Sequence, residues 1–66
     1  MKIDIIIPCY NEEKNVKKIV DKFNEIKLVQ KINIETIIIV DDGSTDNTWS
    51  IIKNLNNTGI KIKCIK

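Results

Sequence analysis

Twice the chain runs through consecutive β-branched residues and then stops at a polar turn. Ile5-Ile6-Ile7 ends at Pro8, and Ile37-Ile38-Ile39-Val40 ends at Asp41-Asp42-Gly43-Ser44. A short apolar run without alternation is the pattern of a strand covered on both faces, as in a parallel sheet. The first strand is expected over residues 3–7, because Pro8 cannot donate to a ladder. The second is expected over residues 34–40, broken sharply by the acidic turn. Between them, residues 12–28 carry Val16, Ile19, Val20, Phe23 and Ile26 at helical spacing, with lysines and acids on the other positions. This is the stripe of an amphipathic helix laid on a sheet. Asn11 is its expected N-cap, with Glu12 and Glu13 suited to the positive end of the helix dipole.

The pattern then repeats. A second helix is expected from Thr45 or Asp46 to Leu55, capped by Ser44 or Thr45, with Trp49, Ile52 and Leu55 as its buried stripe. Residues 56–59 end it, Gly59 supplying a left-handed turn. Residues 60–65 alternate Ile-Lys-Ile-Lys-Cys-Ile and read as a third strand with Lys61, Lys63 and Lys66 outward. The order β-α-β-α-β defines an α/β fold with a parallel sheet and right-handed crossovers. No stop signal closes the third strand, so residues 1–66 are expected to be part of a larger domain, incomplete at the C-terminus.

Composition removes several function classes. The 66 residues suffice for one small, marginally stable unit. There is no histidine, and the two cysteines, Cys9 and Cys64, lack CxxC spacing, which excludes a zinc finger, a Ser-His-Asp triad and a Cys-His nucleophile. Cys9 and Cys64 are expected as reduced, near-core thiols, favouring a cytoplasmic compartment, although spacing alone leaves a bridge between them open. The net charge is +2 and the lysines are scattered, so no nucleic-acid partner is indicated. No apolar stretch is long enough to cross a membrane.

In an open parallel sheet, ligands bind beyond the carboxyl ends of the strands, near a switch in strand order. Two loops fall at such ends, residues 8–12 and residues 41–44. Tyr10 offers a flat face for a base or sugar. A carboxylate at Asp41 or Asp42 is acceptor-only and suits the N–H groups of a nucleobase or the hydroxyls of a ribose, and Glu12 suits a ribose hydroxyl in the same way. No glycine-rich loop is present to cradle phosphates. Taken singly, each loop also has an ordinary explanation: a strand-to-helix turn capped by Asn11, and an Asp-Asp-Gly-Ser turn whose Ser44 and Asp46 serve only to start a helix. Trp49 at helical spacing reads as core.

Taken together, Ile-Ile-Pro-Cys-Tyr-Asn-Glu-Glu and, about thirty residues later, Ile-Ile-Val-Asp-Asp-Gly-Ser-Thr-Asp-Asn-Thr resemble the opening of family 2 glycosyltransferases. The Asn-Glu-Glu triplet with Asn15 behind it is most similar to the branch that transfers sugars to polyprenyl phosphates, the dolichol-phosphate mannosyltransferase and bactoprenol glucosyltransferase types. The resemblance covers nearly the whole chain. It implies a Rossmann-like GT-A nucleotide-binding domain and a UDP- or GDP-sugar donor. Pro8, Tyr10 and Glu12 would flank base and ribose, and Asp42 would accept from the base with Asp41 beside it. It further implies a polyprenyl-phosphate acceptor, a cytoplasmic location at the membrane face, and a divalent cation, Mg or Mn. The family's metal-binding Asp-x-Asp and its later acidic base have no counterpart here, so catalytic and metal-ligating residues are expected to be absent and the chain to bind without catalysing. A truncated, non-catalytic fragment or a nucleotide-binding module without transferase activity is the alternative.

Two other folds share parts of this pattern. A dinucleotide-binding unit requires G-x-G-x-x-G where this chain has Pro-Cys-Tyr-Asn-Glu-Glu. A signalling receiver domain places its acid pair after the first strand, whereas Asp41-Asp42 follows the second.

Overall fold

In the computed structural model, which describes residues 2–55 and 60–66, the chain forms β1 (Ile3–Cys9), α1 (Val16–Gln30), β2 (Ile34–Asp41), α2 (Thr48–Lys53) and β3 (Lys61–Ile65). All three strands are parallel, in the order β1-β2-β3. The α/β class and the β-α-β-α-β order are those the sequence predicts. The left-handed turn expected at Gly59 lies outside the described residues.

Burial along the strands differs from the expectation. β1 alternates between half-buried and exposed positions, with Ile6 68% exposed. The cause is topological. When sheet order follows chain order, successive crossovers of one hand pass over the same face. Both helices therefore lie together on one side of the sheet, α1 against α2 and each against β2. Cross-strand register places Ile5, Ile37 and Ile62 in one row beneath the helices, and Ile7, Ile39 and Cys64 in the next. The opposite face carries Ile6, Pro8, Ile38, Val40 and Ile65, with no helix over it among the described residues. The isoleucine runs are thus buried on one face only.

The core comprises Cys9, Val16, Val20, Ile34, Ile37, Ile39, Ile52 and Ile60. Phe23 and Ile26 of α1 pack against it partly buried, as the helical stripe requires. α2 departs from its predicted stripe. Thr48 and Ile52 are its buried residues, and Trp49 and Leu55 are only partly covered. Lys53 and Lys66 place their ammonium groups 6.0 and 5.4 Å from the Trp49 ring centroid. Lys66 is therefore not outward like Lys61 and Lys63. It shares the parity of Ile62 and Cys64 and folds over the helix side.

Pro8 does not end β1, which continues to Cys9 opposite Asp41. The Asp42 amide donates to the Cys9 carbonyl at 2.8 Å, so the polar groups of Cys9 face β2. Those of Pro8 then face the free edge, where a missing N–H costs nothing. Cys9 and Cys64 are both free thiols. They lie on the outer strands with β2 between, about 9–10 Å of strand spacing that a disulfide cannot span.

Candidate nucleoside-binding loops

The two loops predicted to converge sit side by side at the carboxyl ends of adjacent strands, as expected. The strand order contains no reversal, so the candidate site is the loop pair itself and not a crevice at a switch point.

Asn11 adopts φ 51°, in the left-handed region that asparagine tolerates better than most residues. This reversal turns the chain out of β1 and toward α1. The N-cap expected at Asn11 is not formed. The regular helix begins at Val16, and the boundary residue Asn15 makes no side-chain cap bond. The first helical carbonyl is nevertheless that of Glu12, which accepts from the amides of Asn15 and Val16 at 2.9 and 2.8 Å. The Asn11 carboxamide oxygen instead accepts from the Thr45 amide at 2.8 Å, while the Asn11 amide donates to Ser44 Oγ at 2.9 Å.

The second loop is organised around Asp41. This side chain is 2% exposed, on the helix side of the sheet in the same parity as Ile37 and Ile39. Its Oδ1 accepts from the Ser44 amide at 3.0 Å and from Ser44 Oγ at 2.5 Å. Its Oδ2 is buried without a partner among the described residues. Gly43 sits at φ 78°, a backbone conformation that L side chains rarely adopt, which allows the chain to fold back onto Asp41. Asp42, by contrast, is exposed. Two adjacent acids therefore have different surroundings: Asp41 holds the loop, and Asp42 faces solvent.

Among the other predicted residues, Tyr10 is 56% exposed and Glu12 half-buried, and Pro8 is exposed on the open sheet face opposite Val40. Pro8 thus stands at the edge of the loop pair. Next to it, burial pushes the Cys9 thiol up, with the charges of Glu12 and Asp41 adding to the effect.

Asn11, Ser44, Asp46 and Thr48 join the two loops; the sequence places Asn11 and Ser44 in the loops and at helix starts, gives Asp46 a helix start, and offers no role for Thr48. The Glu12 amide donates to Thr48 Oγ1 at 2.8 Å, and the Glu13 amide makes a longer contact to Asp46 Oδ2 at 3.4 Å. The available signal was a surplus: Ser44-Thr45-Asp46-Asn47-Thr48 holds more acceptors than one helix start uses.

Among the described residues, no group of three or more His, Cys, Asp or Glu side chains is arranged to hold a metal ion. With Asp41 Oδ1 committed to Ser44 and Oδ2 enclosed, the described residues do not fit a cation centre. No helix is long and apolar enough to cross a membrane among the described residues. An open groove between α1 and α2, bordered by Lys17, Asp21, Ser50 and Asn54, includes none of the loop residues.

A parallel α/β unit with polar loops paired at its carboxyl edge has the architecture in which ligands are bound beyond the strand ends. Comparison with known proteins makes this specific. The family described as Glycosyl transferase family 2 matches residues 4–66, and the chain belongs to that family. It is 51% identical over 53 residues to a UDP-N-acetylglucosamine–dolichyl-phosphate N-acetylglucosaminyltransferase of Methanococcus voltae, covering 80% of this chain and 19% of that protein. It is 37% identical over 57 residues to a dolichol-phosphate mannosyltransferase of Pyrococcus furiosus, covering 86% of this chain and 15% of the relative. A third relative, an undecaprenyl-phosphate 4-deoxy-4-formamido-L-arabinose transferase of Proteus mirabilis, is 33% identical over 57 residues, with 85% and 17% coverage. The chain therefore spans about a fifth or less of the length of these curated relatives. Among solved structures there is no significant match.

Proposed function

We propose that the loops at residues 8–12 and 41–44 bind the nucleoside part of a UDP- or GDP-sugar, in a glycosyltransferase whose acceptor is a polyprenyl phosphate. One observation carries the site: the loops are hydrogen-bonded into a single unit that leaves Tyr10 and Asp42 exposed. Tyr10 supplies an aromatic face for the base or ribose. Asp42 supplies acceptor oxygens for base N–H groups, and Glu12 for ribose hydroxyls. Asp41 supports the loop beneath them, and Pro8 borders it. The relatives named above, two of them dolichyl-linked and one undecaprenyl-linked, support the lipid-phosphate acceptor, and with it action at a membrane face.

The chemistry of such a transfer is displacement at the anomeric carbon. It needs a base beside the attacking oxygen and, in this family, a divalent cation on the leaving diphosphate. This chain's part in that transfer is nucleoside recognition. Calorimetric titration of the chain with UDP and GDP tests it. Asp42→Ala and Tyr10→Ala are each expected to weaken binding about tenfold, the loss of about 1.4 kcal/mol. Unchanged affinity in both variants would refute the site, and tighter binding of NAD than of either nucleotide would refute the class of ligand.

A further inference from the structure

The turn that leads from β1 into α1 carries the backbone amides of Glu12 and Glu13 ahead of the first helical residue, Val16. Backbone donors in a part-buried turn require partners. Here they come from residues more than thirty positions later. Thr48 Oγ1 accepts from the Glu12 amide at 2.8 Å, and Asp46 Oδ2 lies 3.4 Å from the Glu13 amide. The same Asp46 side chain also accepts, through Oδ1, from the Thr48 amide at 2.9 Å and from the Thr48 hydroxyl.

These bonds fix one another. A hydroxyl has a single proton, and an ionised carboxylate can only accept. The Thr48 hydroxyl donates its O–H to Asp46 Oδ1, which leaves the hydroxyl's lone pairs for the Glu12 N–H. Thr48 is fully buried, so its Oγ1 has little room to turn elsewhere. Desolvation works to raise the Asp46 carboxyl, but hydrogen bonds from the Thr48 hydroxyl and amide and from the Glu13 amide outweigh it and hold it below its ordinary range. The carboxylate is thereby kept in the form the arrangement needs.

We infer that Asp46 and Thr48 are positioning residues for nucleoside binding: they hold the turn into α1 from across the site and so set where Glu12 and Tyr10 stand relative to Asp42. Asn11 closes the other side of the same junction through Ser44 and Thr45. The two loops then behave as one body, and a ligand meeting both does not have to bring them together. This inference rests on the nucleoside-binding reading of the loops.

The test joins amide hydrogen exchange to UDP and GDP titration on the 66-residue chain. Thr48→Val keeps the shape but removes the hydroxyl, and Thr48→Ser restores it. Asp46→Asn replaces one oxygen by a donor, so that the Thr48 hydroxyl or the Glu13 amide loses its acceptor. Thr48→Val is expected to speed exchange at the Glu12 amide at least tenfold, and Asp46→Asn at Glu12 or Glu13, with Ile37 and Ile39 still protected. Nucleotide affinity should fall about tenfold in both variants and return in Thr48→Ser. Unchanged exchange at both Glu12 and Glu13 would overturn the clamp. Loss of protection at Ile37 and Ile39 as well would reduce Asp46 and Thr48 to a general structural role. Faster local exchange with undiminished affinity would overturn their positioning role. If the unmodified chain binds neither nucleotide, the nucleoside reading fails, while the exchange pattern still decides the clamp.

Discussion

Substitutions at Asp41 separate the hydrogen bonds this side chain makes from the charge it carries into the core. Asp41 is 2% exposed; Oδ1 accepts twice from Ser44, and Oδ2 has no partner among the described residues. A buried unpaired polar atom costs about 1–3 kcal/mol. Asp41→Asn exchanges an unpaired oxygen for an unpaired amide, so that cost is nearly retained. The bonds from Ser44 to a neutral acceptor are weaker, by about 1 kcal/mol each, but removal of the carboxylate's desolvation cost offsets this. The net change is expected within about 1 kcal/mol of zero. Asp41→Ala loses both Ser44 bonds and leaves their donors without an acceptor, for a cost of about 2–4 kcal/mol. A domain of this length is stable by about 3–10 kcal/mol in total, and 1 kcal/mol shifts its melting temperature by about 4–8 °C. Thermal melts followed by circular dichroism should therefore show Asn within several degrees of the unmodified chain and Ala on the order of 10–20 °C lower. If Asn is as damaging as Ala, the second oxygen has a partner and the account of Asp41 as a half-satisfied loop anchor is wrong.

Two further outcomes follow from burial and register. Desolvation raises both thiols above the ordinary value of 9.0, at Cys9 with help from Glu12 and Asp41. Their folded pKa values exceed the unfolded ones, so their contribution to stability is complete below pH 9.0 and is lost as pH rises through the folded values. Iodoacetamide at pH 8 should alkylate both far more slowly in the folded chain than in urea, and equal rates would contradict the burial. On the open sheet face, Ile6→Thr should leave the melting temperature within a few degrees, because a side chain 68% exposed has little burial to lose. It should also reduce self-association in sedimentation, since it breaks an uncovered apolar patch; a large loss of stability would mean that this face is covered.

The order of elements was legible in the sequence because each depends on a local pattern. Ile37-Ile38-Ile39-Val40 forms a strand wherever it sits, and Val16, Val20, Phe23 and Ile26 share a helix face by spacing alone. The loops beginning at Pro8 and Asp41 were legible as candidate binding segments for the same reason, as polar residues directly after apolar strands. Tertiary structure decided what depends on neighbours distant in the chain. Both helices cross the same face, so Ile6 is exposed although its run looks like that of a strand covered on both faces. Pro8 is tolerated inside β1 because its polar groups face the free edge. Asp41 and Asp42, adjacent and chemically identical, are divided by strand parity into a buried anchor and an exposed acceptor. Asp46 and Thr48 reach across to the amides of Glu13 and Glu12, a pairing fixed only once β1 and β2 lie side by side. Hydrophobic period sets what each segment becomes, whereas the meeting of donors and acceptors across the two loops is set by strand register.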